Sequence, residues 1–232
     1  YIEYALWDMD SLFIAQDHPA RDLQDTFYVS TSNMPEVENP EIEDSIKRIH
    51  ERGSGKYSGW GYRWSHDKAM ELVLRTHTTV NTARYLYKSA PPKAIFSVEK
   101  VFRHESVDWK HLAEFHQIEG AVYSRDANVS TLKWMLRNFY SRIGFDEIKL
   151  IPSYYPYTEP SIDVIVNIDG KEVELGGSGI LRPEVGRILG LKAPVIAWGL
   201  GLERLAMMYY DLTDIRQLYN SDFDWLQTYR IH

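Results

Sequence analysis

Cysteine is missing from this chain of 232 residues. Its absence excludes disulfides, thiolate zinc sites and cysteine nucleophiles, and it suits a reducing compartment. No apolar run approaches the ~18 residues that a membrane helix requires. No signal peptide opens the chain, and the opening Tyr1 reads as a fragment or a processed chain. Net positive charge is lacking as well. The balance is -7, which argues against gripping nucleic acid mainly by phosphate neutralisation. The glycine-rich run from Gly53 to Gly61 has no Gly-Lys-Ser/Thr tripeptide, so it reads as a mobile loop rather than a phosphate loop. Repeats, low-complexity tracts and linkers are also absent. What remains is ordinary globular composition, 44% hydrophobic and 25% charged. A chain of this length buries roughly 70–75% of its unfolded surface. Aromatics reach 13%, enough for a large core or for a pocket that takes a flat ligand.

Periodicity sorts the chain into elements. Ile42, Ile46 and Ile49 keep helical spacing and Gly53 stops them. Ser65 caps a second helix running to about Leu74. A third covers Thr79 to Tyr87, ended by Pro91-Pro92. His77, in the polar link between those two, reads as a linker histidine bonded to backbone. From Ala94 the period changes to two, and a second extended run follows from Leu112 to Tyr123, so the pair predicts an antiparallel hairpin. The helix over 129–143 places Val129, Leu132, Met135, Leu136, Phe139 and Ile143 on one face. Ile162 to Ile168 alternate up to Asp169-Gly170, a two-residue turn signal. The return strand spans Glu172 to Leu175 and ends at Gly176-Gly177, and Val195 to Trp198 form a buried strand. Antiparallel hairpins with clustered helices predict an α+β fold.

Three stretches carry chemistry. Arg103 and Glu105 share one face, as do Phe115, Gln117 and Glu119 on the partner strand. Charges and a ring on one surface are costly to bury unless a ligand satisfies them; the competing reading is a solvated sheet face. The turn at Asp169-Gly170 sets Glu174 opposite Ile165, with Asp163 one diagonal step away. Two carboxylates there can hold magnesium, although spacing alone favours an exposed acidic strand. Gly199 to Arg204 is no dinucleotide fingerprint. Its glycines allow close approach to a ligand, and Arg204 opposes the helix dipole unless an anion binds.

Together these stretches resemble the three signature motifs of class II aminoacyl-tRNA synthetases. Arg103-His104-Glu105 is similar to motif two, Gly199 to Arg204 to motif three, and the region around Pro19 to motif one. The runs His18-Pro19-Ala20-Arg21-Asp22, Leu74 to Thr79, Phe102 to Glu105 and His111 to Gly120 resemble the α subunits of phenylalanyl-tRNA synthetases. Tyr157 to Ser161 and Gly177 to Glu184 resemble the archaeal and eukaryotic cytosolic branch. The likeness covers nearly the whole chain, so residues 1–232 are expected to form a single class II catalytic domain, a mainly antiparallel sheet flanked by helices. An N-terminal tRNA-contacting arm is expected to be absent.

That resemblance implies ATP-dependent activation of phenylalanine and its transfer to tRNA(Phe). It implies that Arg103 holds the α-phosphate, Phe115 and Arg204 sandwich the adenine, Glu105 bonds its amino edge and His111 reaches the outer phosphates. Glu174, then Glu159, are the implied Mg2+ ligands. His77, Thr79, Gln117, Glu119 and Gly199 match amino-acid-binding positions, Tyr155 and Tyr157 the pair that cradles the ring, and Ala197 the small residue at its far end. Tyrosines stand where other branches carry phenylalanine. Editing falls to a β subunit in this family, so a heterotetramer, a cytoplasmic location and no membrane are expected. Apolar surface near Trp7, Leu12 and Phe13 is expected to await a partner. A paralogue that makes adenylates without charging tRNA stays open. A phosphoserine-type synthetase and a non-enzymatic binding module rank lower, because the pocket residues look flat and apolar and Arg103, Glu105 and Arg204 are all kept.

Overall fold

Period-two and period-3.6 stretches alternate along the chain, and a computed structural model shows what they build. It describes residues 1–22, 25–31, 37, 39–104, 106–168, 170–220 and 222–228. In order come β1 (Ile2–Tyr4), α1 (Ala5–Asp8), β2 (Tyr28–Val29), α2 (Ile42–Arg52), α3 (His66–Ala69), β3 (Leu72–Leu74) and α4 (Thr79–Leu86). Then follow β4 (Lys93–Phe102), β5 (Glu114–Tyr123), α5 (Val129–Arg142), β6 (Lys149–Ser153), β7 (Thr158–Ile168) and β8 (Lys171–Leu181). The chain closes with α6 (Pro183–Ile188), β9 (Val195–Gly201), α7 (Leu202–Tyr209) and α8 (Phe223–Thr228). Six strands form one antiparallel sheet in the order β4-β5-β9-β8-β7-β6, beside a small sheet β1-β3-β2. This is the expected α+β architecture.

Each face of the large sheet has its own core. Behind it, α5 presses Leu132, Leu136 and Tyr140 onto Val164, Val166, Ile196 and Leu200. Asn128 caps that helix by accepting from the Thr131 N–H at 3.0 Å. Of the face expected for it, Ile143 is exposed and Tyr140 takes the buried place. In front, α2 buries Ile42, Ile46 and Ile49 against Trp7, Leu12 and Phe13. Truncating Ile46 to alanine there would cost about 2–5 kcal/mol.

Four expectations need correction. Ser65 does cap α3, accepting from the Lys68 N–H at 3.4 Å, but the helix ends at Ala69. Leu72-Val73-Leu74 is the central strand of the small sheet, because a short apolar run suits a buried strand as well as a helix. The return strand does not stop at Gly176-Gly177; β8 continues to Leu181. Pro19, a residue that demotes any strand there to an edge or a boundary, opens a 3-10 turn, Pro19–Arg21, instead. Trp7, Leu12 and Phe13 are not open surface, being wholly inside the front core. Exposed apolar surface lies instead on edge strand β4, where Phe96 is 80% and Val98 45% exposed. These two share a face with Ile118 and Gly120 on β5, continuous with the rear core beyond the reach of α5. The stretch 33–40, whose two prolines and weak periodicity predict a loop, falls mostly outside the described residues, as does Asp169 of the turn.

Candidate active site

The cavity owes its existence to small residues. On the front face of the sheet, Gly199 lies between Glu119 and Gly177, Gly201 beside Gln117, and Ala197 beside Gly179. Side chains are nearly missing from that floor, and a cavity of about 610 Å³ stands above it. A Cβ on Gly177 would sit 2.3 Å from the Tyr155 ring, so glycine is what lets that ring lie flat against β8. The central strands thus carry two opposite texts: bulky apolar residues behind and almost nothing in front.

One half of the cavity is a buried polar lattice. Glu119 is 3% exposed. It accepts from the Thr79 hydroxyl at 2.6 Å, the Thr82 hydroxyl at 2.6 Å and the Thr78 hydroxyl at 3.2 Å. Burial pushes its carboxyl up, and the threonine bonds and the nearby His77 only partly offset this. Gln117 accepts from the Thr78 N–H at 2.9 Å through its carbonyl oxygen, which leaves its amide group beside Gly199. His77 is buried, with its ring 5.6 Å from that of Tyr157. Neither of its ring nitrogens has a hydrogen-bond partner among the described residues, so the backbone-bonded linker histidine of the sequence reading is not what forms. Burial pushes the Tyr157 phenol up to about 12. The Tyr155 hydroxyl donates to Asp163 at 2.6 Å, and burial together with that carboxylate raises its pKa. Ala197 and Gly199 complete this half from below.

The other half is more open and more cationic. Arg103 follows the last residue of β4 and donates through Nε to the Thr76 carbonyl at 3.5 Å. Its guanidinium lies 5.3 Å from the centre of the Phe115 ring. Arg204 stands in the first turn of α7 and donates to the Glu174 carbonyl at 2.8 Å. His111, 41% exposed, is tied through Nδ1 to Asp108 at 2.9 Å, and this leaves Nε2 for a ligand. Glu203, next to Arg204, is buried and accepts from the His116 N–H at 2.8 Å and from the Tyr219 hydroxyl. A cationic, half-exposed end suits phosphates, and the ring of Phe115 suits a base.

The cavity gathers His77, Thr79, Arg103, His111, Phe115, Gln117, Glu119, Tyr155, Tyr157, Glu174, Ala197, Gly199 and Arg204. One expected residue, Glu159, is not brought to it, and another is not among the described residues. Glu105 lies outside the described residues. Glu159 is exposed and absent from the cavity lining. The register places Glu174 opposite Ile165 as read from the turn, but a bulge sets Asp163 opposite Gly177. Asp163 is therefore spent on Tyr155 instead of a cation. No three His, Asp or Glu side chains converge as a metal site among the described residues. One carboxylate, Glu174, still fits an ion carried mainly by phosphates. Thr78, Thr82, Asp108 and Glu203 escaped the sequence reading. Only the threonine-rich run Thr76 to Thr82 hinted at the first two.

Comparison with known proteins agrees with this geometry. The family model described as tRNA synthetases class II core domain (F) matches residues 1–229. The phenylalanine–tRNA ligase alpha subunit of Thermoplasma volcanium is 72% identical over 232 residues, covering 100% of this chain and 48% of that protein. Its counterpart in Archaeoglobus fulgidus is 45% identical, over 98% of this chain and 48% of that protein. The chain thus spans about half the length of the curated relatives it matches. Pyrrolysyl-tRNA synthetase from Desulfitobacterium hafniense superposes with a TM-score of 0.63 at 18% identity, over 95% of this chain and 65% of that one, a likeness of fold alone. No helix among the described residues is long and apolar enough to cross a membrane. With its motif residues gathered in one cavity and the family model spanning all but its last residues, the chain belongs to the class II tRNA synthetase core-domain family.

Proposed function

We propose that residues 1–232 are the single catalytic domain of a phenylalanine–tRNA ligase α subunit, which activates phenylalanine with ATP and passes it to tRNA(Phe). The observation that carries this reading is one cavity with two unlike ends: Arg103, Phe115 and Arg204 at one, Gln117, Glu119, Tyr155, Tyr157 and Ala197 at the other. The printed name of the relatives, an alpha subunit, supports a β subunit as partner and a heterotetrameric assembly. A cytoplasmic location goes with that reading.

In the proposed reaction the amino-acid carboxylate attacks the α-phosphorus of ATP, and pyrophosphate leaves. The terminal adenosine of tRNA then takes the aminoacyl group from the adenylate. Arg103 neutralises charge growing on the α-phosphate, while Phe115 and Arg204 clasp the adenine and His111 meets the outer phosphates. Glu119 receives the α-ammonium group, which supplies the positive charge that the buried carboxylate lacks, and the Gln117 amide donates toward the amino-acid carboxylate. Tyr155 and Tyr157 flank the ring, and Ala197 closes the far end. Mg2+ would supply further neutralisation of the phosphates, with Glu174 its protein contact. No side chain acts as a nucleophile; positioning and preorganised charge do the work.

Amino-acid-dependent ATP–pyrophosphate exchange on the complete enzyme tests this. Exchange driven by phenylalanine, followed by charging of tRNA(Phe), is the expected result. Exchange driven only by another amino acid would overturn the substrate. Exchange without charging would favour the paralogue that makes adenylates alone.

A further inference from the structure

Asp8 closes α1, outside the stretches that carry the motifs, and is fully buried. Both of its carboxylate oxygens lie 3.3 Å from the Thr76 backbone nitrogen, and one accepts from the Thr76 hydroxyl at 2.9 Å. A carboxylate is an expensive group to bury. Desolvation raises its pKa, offset in part by His77 and by the bonds from Thr76. An apolar residue at the end of α1 would spare that cost if packing were all the position required.

The loop that Asp8 holds is the junction of the cavity. Its Arg75 donates to the Lys100 carbonyl at 2.7 Å and pairs with Glu99 on β4. The Thr76 carbonyl receives Arg103 Nε at 3.5 Å. His77 enters the cavity, the Thr78 N–H reaches Gln117, and the Thr79 hydroxyl reaches Glu119. Five consecutive residues thus serve both ends of the site. Within Thr76, donors face Asp8 and the acceptor faces Arg103.

We propose that Asp8 is a positioning residue: acting through Thr76, it fixes the Arg75–Thr79 loop and so aims Arg103 at the reacting phosphate. The aim rests on the adenylation reading given above, whereas the tether stands without it. What the loop needs from Asp8 is a hydrogen-bond acceptor, not a charge. A displacement of about 1 Å at a reacting group can cost a hundredfold in rate. The loss should fall on kcat, since Arg103 counts most in the transition state.

The test uses the complete enzyme with Asp8→Ala, Asp8→Asn and Thr76→Val, and two readouts. In pyrophosphate exchange, Asp8→Ala is expected to lose about tenfold to a hundredfold in kcat with KM for ATP within about twofold. Asp8→Asn, whose amide oxygen still accepts from the Thr76 N–H, should stay within about threefold of the parent. Thr76→Val removes the hydroxyl donor alone and should fall in between. In amide hydrogen exchange of the ligand-free enzyme, Asp8→Ala should speed exchange across residues 76–79 by about tenfold, and Asp8→Asn should not. Equal losses in the alanine and asparagine variants would overturn the acceptor role. A lowered melting temperature with unchanged kcat and unchanged loop exchange would reduce Asp8 to a packing residue and overturn the proposal. If Asp8→Ala does not fold, parental kcat in Thr76→Val would overturn it instead. Should the parent enzyme show no amino-acid-dependent exchange, the adenylation reading fails, while hydrogen exchange still decides the tether.

Discussion

The two ends of the cavity are built by different means. At the amino-acid end, side chains hold side chains: three threonine hydroxyls grip Glu119, and Asp163 grips Tyr155. At the cationic end, backbone carbonyls hold the two arginines: Thr76 takes Arg103, and Glu174 takes Arg204. The carboxylate of Glu119, gripped by three hydroxyls, is stiff before any ligand arrives. On the reading proposed above, the fussier end is the one that would tell one small amino acid from another. The looser end would meet a nucleotide whose charge does much of the steering.

The contrast is sharpest at Arg103. Arg103→Ala should lower pyrophosphate exchange by about a hundredfold to a thousandfold, the range for losing one donor to a charge that develops in the transition state. Circular dichroism and melting temperature should stay near the parent, because this end does not hold the fold together. A matching loss of stability would erase the distinction between the two ends.

Glu119→Gln breaks the other end. It should cost about a hundredfold in kcat/KM for the amino acid, in the range for removing one partner of a buried charge pair. The same variant reads out the pH linkage. Burial raises the Glu119 carboxyl above its unfolded value, so the folded chain holds the proton more tightly. The stability contributed is present below the ordinary carboxylate range and is lost as pH rises through the raised value. Melting temperatures of variant and parent should therefore diverge in the variant's favour as pH climbs across that window. A pH-independent difference would mean that Glu119 is not buried as a titrating acid.

Gly177→Ala probes the floor on which both ends rest. Its Cβ would meet the Tyr155 ring at 2.3 Å, so stability should drop by about 1–3 kcal/mol. KM for the amino acid should rise while KM for ATP holds. The mildest change is Tyr155→Phe. It removes the bond to Asp163 and should cost about 1 kcal/mol in denaturant unfolding, and a cost near zero would show that the ring alone positions that wall.

Most of the sheet could be read in advance, because alternation in Ile162, Val164 and Val166 and the Asp169-Gly170 turn are local signals. The site residues could be read because their motifs resemble a family, not because spacing proves a cavity. Misreadings came where the chain's meaning is tertiary. Leu72 to Leu74 look like the tail of a helix until two other strands flank them. Gly176 to Gly179 look like a stop until the space above them is seen to be the point. Trp7, Leu12 and Phe13 look like an interface, yet three isoleucines of α2 cover them. Nothing local says that Thr78, Thr79 and Thr82 converge on one carboxylate of a strand some forty residues away.

The bulge on β8 carries a lesson about descent. Val164 pairs with Gly176 and Ile165 with Glu174, so Leu175 is an extra residue in the ladder. Taken up as a bulge, it keeps Glu174 on the cavity side, where strict alternation from Gly177 would send it to the rear. Over generations this strand can trade one apolar residue for another at Leu175, since that side chain only fills the rear core. Glu174 does not hold the strand's length fixed either. Deleting Leu175 would leave Glu174 opposite Ile165 in an unbroken ladder, still on the cavity side, and would take one side chain out of the rear core. Among descendants of this sequence, the surplus residue adds packing behind the sheet, while the acid in front keeps its place either way.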